Sequence, residues 1–252
     1  MRHAVQEAKQ FKADLLSYSP KQEVKSIWER LLMPIVFAEL RRQYPPAKVN
    51  SSKSNIAAAN GQYLLISREA YERIGGHASV RDKLLEDVEL ARLVKQHGMR
   101  IRFRYGREAV KTRMYRSLRA MWEGWTKNLA LLFPSPILLA ARRLLELVAV
   151  IGGVLALIWG AHQKNTWFLT GGLLVGLTFT ANFFYRVRKA HFSWLNTIIS
   201  PLGLPIFVIL LVRSRLHYIR KKVSWKGRTY DPTSAAAHEA PHQRRQESVS
   251  TT

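Results

Sequence analysis

The chain has 252 residues, a formal net charge of +23 and no cysteine. The lack of cysteine excludes a disulfide framework, a thiol nucleophile and a cysteine-ligated zinc site. The charge indicates an anionic partner: a nucleic acid, an anionic membrane surface or a phosphorylated substrate. The first twelve residues are charged and lack the apolar core of a cleavable signal peptide.

Up to residue 132 the pattern alternates short helices with short strands. In chain order, the predicted elements are a helix at 2–12, a strand at 14–18 ended by Pro20, a helix at 24–41, a strand at 62–67, helices at 68–74 and 86–97, a strand at 101–105 and a helix at 116–132. Residues 44–60 are predicted as a loop, and residues 77–84 as a mobile polar segment. The helix that contains Pro34 lies either in the membrane interface or against the core, and both remain open.

Three apolar blocks follow, and each approaches the roughly 20 residues that cross a bilayer core. They are Leu144–Gly160, Thr166–Tyr185 and Trp194–Val212. Basic residues and tryptophans flank them, as expected of interface anchors. The third block is broken by Pro201, Gly203 and Pro205, which a membrane helix tolerates. The sequence therefore predicts a multi-pass membrane protein, and a buried three-helix core in a soluble protein is the alternative.

These patterns predict four regions along the chain. They are a soluble part at 1–132, a membrane region at 133–213 with about three helices, a basic juxtamembrane segment at 214–231 and a disordered tail at 232–252. Three full crossings would place the basic segment opposite the soluble part, against the positive-inside tendency. Either a re-entrant third block or an interfacial first block would remove that conflict, and the sequence leaves the choice open.

The pair Glu86-Asp87 opens an amphipathic helix and is a candidate for chemistry. Backbone N–H groups and the helix dipole stabilise a charged carboxylate at a helix start. A carboxylate held rigidly there can accept a proton from a hydroxyl group as a general base. The alternative is ordinary decoration of a helix N-terminus, where acidic residues are common.

A second candidate is the basic, aromatic helix at 116–132, in which Arg116, Arg119 and Trp122 lie on adjoining turns. Arginines beside a tryptophan suit a pyrophosphate and a flat sugar or ring face. An interfacial helix with an aromatic and basic belt is the alternative. The scattered histidines and the absence of any Asp-x-Asp give no metal site, and no G-x-G-x-x-G or P-loop is present.

The order of these motifs resembles that of family 2 glycosyltransferases. The run from Asn60 to His77 is similar to the acceptor-side strand, helix and Gly-Gly turn of that family. The resemblance implies an acceptor site shaped by Asn60, Gly61, Gly75 and Gly76. The segment Leu85–Ala91 is similar to the family's Glu-Asp motif, so the resemblance implies a catalytic site at Glu86 and Asp87, with Asp87 as the base.

Further along, Arg116 and Arg119 are similar to the family's [Q/R]-x-x-R-W element, with Trp122 standing two residues beyond the expected position. The resemblance implies that these three residues bind the diphosphate. The run Gly124–Asn128, the apolar blocks and the run Trp225–Tyr230 look like the hopanoid-associated and carotenoid-type membrane members. The implied fold of residues 1–132 is the acceptor-side part of an α/β GT-A (nucleotide-diphospho-sugar transferase) domain.

The resemblance also implies a reaction, namely transfer of a sugar with inversion from a nucleotide sugar to a lipid acceptor. Members of the family carry a donor-binding half with an Asp-x-Asp that holds Mg²⁺ or Mn²⁺. This sequence lacks that half, so we expect a truncated enzyme that is inactive alone and works with a separate donor-binding half. We expect it in a bacterial inner membrane with its soluble part in the cytoplasm.

A different class of function remains as the alternative. A non-catalytic basic membrane protein would bind anionic lipid or lipid phosphate through its surface cations. Nucleic-acid binding is not expected, because the basic residues cluster beside the membrane segments and no recognition motif is present.

Overall fold

The computed structural model describes residues 2–220, 224–225 and 228–229. The part before the apolar blocks contains the strands β1 (Leu15–Gln22), β2 (Leu64–Ile66) and β3 (Ile101–Thr112). Its helices are α1 (Arg2–Gln10), α2 (Ile27–Gln43), α3 (Pro46–Val49), α4 (Arg68–Arg73), α5 (Glu86–Gln96) and α6 (Leu118–Leu132). A 3₁₀ turn at Gly76–Val80 overlaps the segment predicted to be mobile.

The three strands form one mixed sheet in the order β2-β1-β3. The central strand β1 is antiparallel to β2 and parallel to β3. The register of β1 against β3 shifts between Pro20 and Lys21, and such an irregularity accommodates a proline that has no N–H for the ladder. The prediction that the strand ends at Pro20 is therefore wrong, since β1 continues to Gln22. The GT-A arrangement of this small sheet stays a prediction.

The apolar blocks form long helices. They are α7 (Pro136–His162), α8 (Thr166–Lys189) and a third stretch made of α9 (Trp194–Ile199), a 3₁₀ turn (Ser200–Gly203) and α10 (Leu204–Ile219). Each of the three is long and apolar enough to cross a membrane, with mean hydropathy of 2.2, 1.4 and 2.2. Large apolar side chains such as Leu145, Ile158 and Leu174 are exposed on α7 and α8, which a water-soluble three-helix core would not leave uncovered. The chain is a membrane protein.

Helices α7 and α8 pack at close range through glycines. A Cβ atom at Gly153 would lie 2.9 Å from the backbone nitrogen of Gly176, and one at Gly172 would lie 2.7 Å from the carbonyl oxygen of Gly153. Small residues at such crossings let two backbones approach inside a membrane, where packing rather than the hydrophobic effect holds helices together.

Helix α2 packs against the helices of the membrane region, which favours the core-facing alternative for it. It continues through Pro34, and its residues Leu32, Ile35 and Val36 belong to the same buried cluster as Leu129 of α6 and Phe207 of α10. A Cβ atom at Gly203 would overlap the backbone carbonyl of Leu31, so the 3₁₀ turn of the third stretch needs glycine where it meets α2.

Buried charges join α2 to the ends of α7 and α8. Glu39 of α2 lies 3.4 Å from Arg143, and Glu146 accepts a hydrogen bond of 2.7 Å from Arg186. Two acids and two arginines balance in this cluster, which is the condition under which buried charges are tolerated. The tail predicted at 232–252 lies outside the described residues, as does most of the basic segment beyond α10.

Candidate active site

Asp87 lies in the first turn of α5, and backbone groups fix both of its carboxylate oxygens. Oδ2 accepts a hydrogen bond of 2.7 Å from the N–H of Gly61, and Oδ1 accepts one of 2.8 Å from the N–H of Val88. Two amide donors on one carboxylate hold it in a single orientation. The Glu-Asp motif and the Asn60-Gly61 turn, which the resemblance implied as the base and the acceptor site, are therefore in direct contact.

Asp87 borders a cleft that is partly open to solvent. We call this cavity the Asp87 cleft. Its lining residues come from β1, α2, the segment before β2, α5, β3 and α6; they are Ser19, Phe37, Leu40, Arg41, Tyr44, Ala58, Ala59, Asn60, Leu85, Asp87, Val88, Phe103, Tyr105, Met114, Trp125, Asn128 and Leu132. Most of these side chains are apolar, with a few polar groups among them, which is the usual make-up of a ligand site.

The surroundings of Asp87 favour proton acceptance. Burial against the apolar cleft raises its pKa above the ordinary value of 3.8, and the charge of Glu86 raises it further. The hydrogen bonds from Gly61 and Val88 act in the opposite direction and keep the carboxylate usable in its charged form. Glu86 itself is exposed and does not line the cleft, so its influence on this site is electrostatic.

A buried serine anchors the turn that faces Asp87. Ser17 of β1 accepts a hydrogen bond of 2.7 Å from the N–H of Asn60 and donates one of 3.0 Å to the carbonyl oxygen of Tyr63. The side chain of Asn60 closes the turn by accepting a 3.0 Å bond from the N–H of Gln62. This chain of contacts presents the Gly61 N–H to Asp87.

Lys95, near the end of α5, fixes the chain that leads into this turn. Its ammonium group donates to the carbonyl oxygens of Val49 at 2.8 Å and Ile56 at 2.6 Å. Desolvation lowers the pKa of Lys95. The helix that carries Asp87 is thus joined to the segment that carries Asn60 at two places. One is the bond from Gly61 to Asp87 at the start of α5, and the other is the set of bonds from Lys95 near its end.

The opposite wall of the cleft contains groups that sequence reasoning missed. Tyr44 donates a hydrogen bond of 2.7 Å to the carbonyl oxygen of Leu132, and burial raises its pKa to about 12. The guanidinium of Arg41 lies 4.4 Å from the centre of the Tyr105 ring and 3.0 Å from Nε2 of His191. Among the described lining residues Arg41 is the cation and Asp87 the anion, so the cleft can meet a ligand with both signs of charge.

A family model described as glycosyl transferase family 21 matches residues 36–235. The chain belongs to glycosyltransferase family 21. This match corrects the resemblance to family 2 at the level of the family, and it supports glycosyl transfer in general. It spans the stretch that holds Asn60 and Asp87 of the cleft. Searches of curated proteins and of solved structures found no match.

In this family 21 chain, the remaining predicted acceptor residues lie apart from the cleft. Gly75 and Gly76 have φ angles of +76° and +56°, a conformation that favours glycine, and they end the helix that follows β2. A Cβ atom at Gly76 would lie 2.7 Å from the Tyr71 ring. Neither glycine lines the Asp87 cleft, so the structure gives them a turn-forming role, and acceptor binding by them stays a prediction.

The three residues predicted to bind a diphosphate are not gathered around Asp87 either. Arg116 and Arg119 are exposed, and Arg119 forms a 2.9 Å ion pair with Glu123 one turn away. Trp122 packs on the helical core, with the guanidinium of Arg213 at 5.9 Å from its ring. Their diphosphate role stays a prediction.

Helix α6, which carries Arg119 and Trp122, instead brings Trp125 and Asn128 to the cleft. Both belong to the run Gly124–Asn128, which carried part of the resemblance to membrane glycosyltransferases. The resemblance of that run was the sequence signal that could have identified Trp125 and Asn128. The site prediction instead used Arg116, Arg119 and Trp122.

The described residues do not fit a divalent cation. No group of three or more histidine, aspartate or glutamate side chains among them could hold a metal ion. The Mg²⁺ or Mn²⁺ implied by the family 2 resemblance would need ligands other than these.

Proposed function

We propose that this family 21 membrane protein transfers a sugar, with inversion, from a nucleotide sugar to a hydroxyl group of a lipid. The observation that carries the proposal is the Asp87 carboxylate, which two backbone N–H groups hold at the wall of an apolar cleft. A base in this setting is desolvated and has a raised pKa, both of which suit removal of a proton from an alcohol.

In the proposed step, the acceptor hydroxyl gives its proton to the Asp87 carboxylate. The acceptor oxygen forms a bond to the anomeric carbon, while the bond from that carbon to the diphosphate breaks. The leaving diphosphate keeps the electron pair of that bond. Attack opposite the leaving group inverts the configuration, and the enzyme contributes by holding the reactants in line.

The cleft wall supports a lipid acceptor. Phe37, Leu40, Met114, Trp125 and Leu132 line the cleft and also belong to, or pack on, the cluster that holds α8 and α10. The apolar lining of the cleft is therefore contiguous with the apolar core that reaches the membrane helices, which favours an acceptor with an apolar chain.

The charge distribution supports a cytoplasmic position for the catalytic part. The ends of α7 and α8 next to α2 carry Arg142, Arg143, Arg186, Arg188 and Lys189. The connection at the far end of the α7–α8 hairpin carries a single basic residue, Lys164. Because basic residues are retained on the cytoplasmic side, this bias orients the catalytic part inwards.

We further propose that a separate donor-binding half holds the donor diphosphate and its divalent cation. The lack of any Asp-x-Asp supports this, as does the resemblance of the motifs present to the acceptor side of family 2 enzymes. Arg41 is the described cation at the cleft wall that could face such a diphosphate.

The proposal is tested by introducing Asp87→Asn at the chromosomal locus of the natural host, which leaves any other required segment in place. Membranes are incubated with a panel of radiolabelled nucleotide hexoses, and label in the organic-solvent extract is counted. We expect the variant to lose at least about 100-fold of the transfer that depends on this chain, as for removal of a general base.

Asp82→Asn is the matched control, because Asp82 lies on the surface near α5 and pairs with the exposed Arg81. It should transfer label at the rate of the unchanged protein. Equal transfer by the two variants would reject Asp87 as the base. Salt-sensitive binding to anionic vesicles, with no lipid labelling by any nucleotide hexose, would instead support the lipid-binding alternative.

A further inference from the structure

A second cleft lies where the C-terminal end of α2 meets the start of α7, and we call it the α2–α7 cleft. It is lined by the last residues of α2, the connection after α6 and the first two turns of α7. None of its described lining residues lines the Asp87 cleft. Two arginines border it, Arg42 from α2 and Arg142 from α7. It is therefore a basic site separate from the one proposed for sugar transfer.

The charges of Arg42 and Arg142 are not neutralised within the described part of the chain. Both residues are exposed, and neither forms an ion pair with a described residue. The acid that lines the same cleft, Glu39, is buried, and its carboxylate is engaged with Arg143 and Arg186. Two like charges beside one cavity repel each other, so they favour an anion between them.

The apolar surface beside Arg142 indicates the kind of anion. Leu138 stands one turn before Arg142 and Leu145 one turn after it, so the three lie on one face of α7. Leu138 and Leu145 are 50% and 63% exposed. Arg142 also lies just before the apolar block Leu144–Gly160, where the lipid tails meet the head groups. A free phosphate ion would leave these leucines uncovered, whereas the chains of a phospholipid would cover them.

We infer that the α2–α7 cleft binds the phosphate of an anionic phospholipid of the surrounding membrane between Arg42 and Arg142. A guanidinium group binds phosphate oxygens through paired, parallel hydrogen bonds. The hydroxyl of Ser135 and the amide of Gln43 also line the cleft and supply further donors. Basic pockets beside membrane helices bind anionic head groups in this way. The bound lipid joins α2 to α7, and its binding does not depend on the proposed sugar transfer.

The test measures lipid binding to the full chain in detergent by native mass spectrometry, which counts the bound lipids and gives their dissociation constants. The probes are dioleoylphosphatidylglycerol, which is anionic, and dioleoylphosphatidylcholine, which has the same chains and no net charge. We expect one phosphatidylglycerol to bind saturably, with an affinity roughly 10-fold or more above that of phosphatidylcholine. Glycerol 3-phosphate, which has the phosphate but no chains, should not displace it.

The double variant Arg42→Gln and Arg142→Gln should bind phosphatidylglycerol roughly 25-fold more weakly, because each surface cation strengthens binding to anionic lipid about 5-fold. The matched control is the double variant Arg215→Gln and Arg220→Gln. It removes the same two charges from exposed arginines at the end of α10, outside the α2–α7 cleft. The control should bind phosphatidylglycerol as tightly as the unchanged protein does.

Equal weakening in the two double variants would show a diffuse attraction to the basic surface and would overturn the inference. Equal affinities for the two lipids would overturn it as well, and so would displacement of the lipid by glycerol 3-phosphate. Asp87→Asn should bind phosphatidylglycerol as the unchanged protein does, because Asp87 lies outside this cleft. A failure of the proposed function is therefore distinguishable from a failure of this inference.

Discussion

The N–H of Gly61 donates a 2.7 Å hydrogen bond to the carboxylate of Asp87, which stands 26 positions later in the chain. A Cβ atom at Gly61 would lie 3.4 Å from that carboxylate oxygen, so the turn and the helix start are in van der Waals contact. The bond joins the segment predicted to shape the acceptor site to the residue predicted to be the base. The orientation of the base therefore depends on the loop before β2 as well as on α5.

As the pH is lowered, the rate of sugar transfer by this chain should fall at a higher pH than it would for a base with the ordinary pKa of aspartate. The pKa of Asp87 is raised above 3.8, mainly by desolvation, and only the deprotonated form can take the proton of the acceptor. The rate at limiting acceptor should therefore fall as the pH drops through this raised pKa. A pH profile of label transfer in membranes measures it, and an acid limb at or below pH 3.8 would contradict the raised value.

Glu86→Gln should move that acid limb to lower pH. The charge of Glu86 disfavours the ionised form of Asp87, so removing it lowers the pKa of Asp87 and leaves more of the base deprotonated in mild acid. The pH profile of the variant, compared with that of Asp82→Asn, measures the shift. A loss of rate across the whole pH range with an unchanged limb would mean that Glu86 takes part in transfer directly.

Ser17→Ala should reduce transfer by loosening the turn that faces Asp87. The change leaves the N–H of Asn60 unpaired in a buried place, which destabilises the local structure by roughly 1–3 kcal/mol. Ser79→Ala is the matched control, because Ser79 also anchors a turn by a side-chain bond, to the carbonyl oxygen of Gly76, away from the cleft. Transfer should fall more in the Ser17 variant, and equal transfer would show that the Asn60 turn does not control the base.

The sequence sufficed to predict the elements that form locally. Periodicity and turn residues gave α4, α5 and α6 within about two residues, and the Gly75-Gly76 turn follows from glycine's access to positive φ. The apolar blocks indicated three long helices, although α7 begins eight residues before its block because Arg142 and Arg143 lie within the helix. One of those arginines is neutralised by acids from α2 and α7, which no local pattern reveals.

The site was only half predictable for a related reason. Asn60, Gly61 and Asp87 lie in motifs whose order along the chain resembles that of a known family. Arg41 lies in no such motif, and its guanidinium lines the cleft beside the Tyr105 ring of β3. Trp125 comes from the same helix as the assigned Trp122, one turn further along. Which turns of a helix meet a cavity depends on tertiary packing, so residue composition alone did not identify Trp125 as a lining residue.

Glu29→Gln should remove an acid-sensitive part of the stability. Glu29 accepts bonds from the guanidinium of Arg113 at 2.9 Å and from the N–H of Ser26 at 2.7 Å, and its pKa is lowered from 4.5 to about 2. A lowered pKa stabilises the fold above pH 4.5, and this stability is lost as the pH falls through about 2. At neutral pH the variant should have a free energy of unfolding roughly 1–3 kcal/mol lower than that of the unchanged protein, and it should unfold at a lower temperature. The difference should shrink in acid.

The matched control for that change is Glu72→Gln, because Glu72 also pairs with an arginine, Arg68, but at an exposed site. Exposed pairs contribute little, so its unfolding midpoint should stay close to that of the unchanged protein. Thermal unfolding in detergent between pH 3 and pH 8 checks both variants. A constant difference across that range for Glu29→Gln would contradict the lowered pKa.

The α7–α8 contact contains two pairs of adjacent glycines, and in each pair only one glycine faces the partner helix. Alanine substitutions within a pair therefore distinguish the effect of helix packing from that of helix propensity. A Cβ atom at Gly153 or Gly172 would meet the backbone of the facing helix at 2.9 Å or 2.7 Å, whereas one at Gly152 or Gly171 meets nothing within 4 Å. Alanine is the better helix former by roughly 0.5–1 kcal/mol, so the open positions should tolerate or gain from it. An alanine at Gly153 or Gly172 forces the two helix backbones apart, which destabilises the packing of α7 on α8 by roughly 1–3 kcal/mol.

Gly153→Ala and Gly172→Ala should therefore lower the midpoint of thermal unfolding in detergent, while Gly152→Ala and Gly171→Ala leave it unchanged or raise it. Each comparison is between neighbours in one helix, so differences in depth and detergent contact are small. If all four variants shifted the midpoint equally, the close approach of α7 and α8 would be wrong.

Because α7 and α8 also carry Arg143, Glu146 and Arg186 to the contact with α2, their separation should disturb the cleft as well. Transfer by the Gly153 variant should then fall with its stability, and transfer by the Gly152 variant should not.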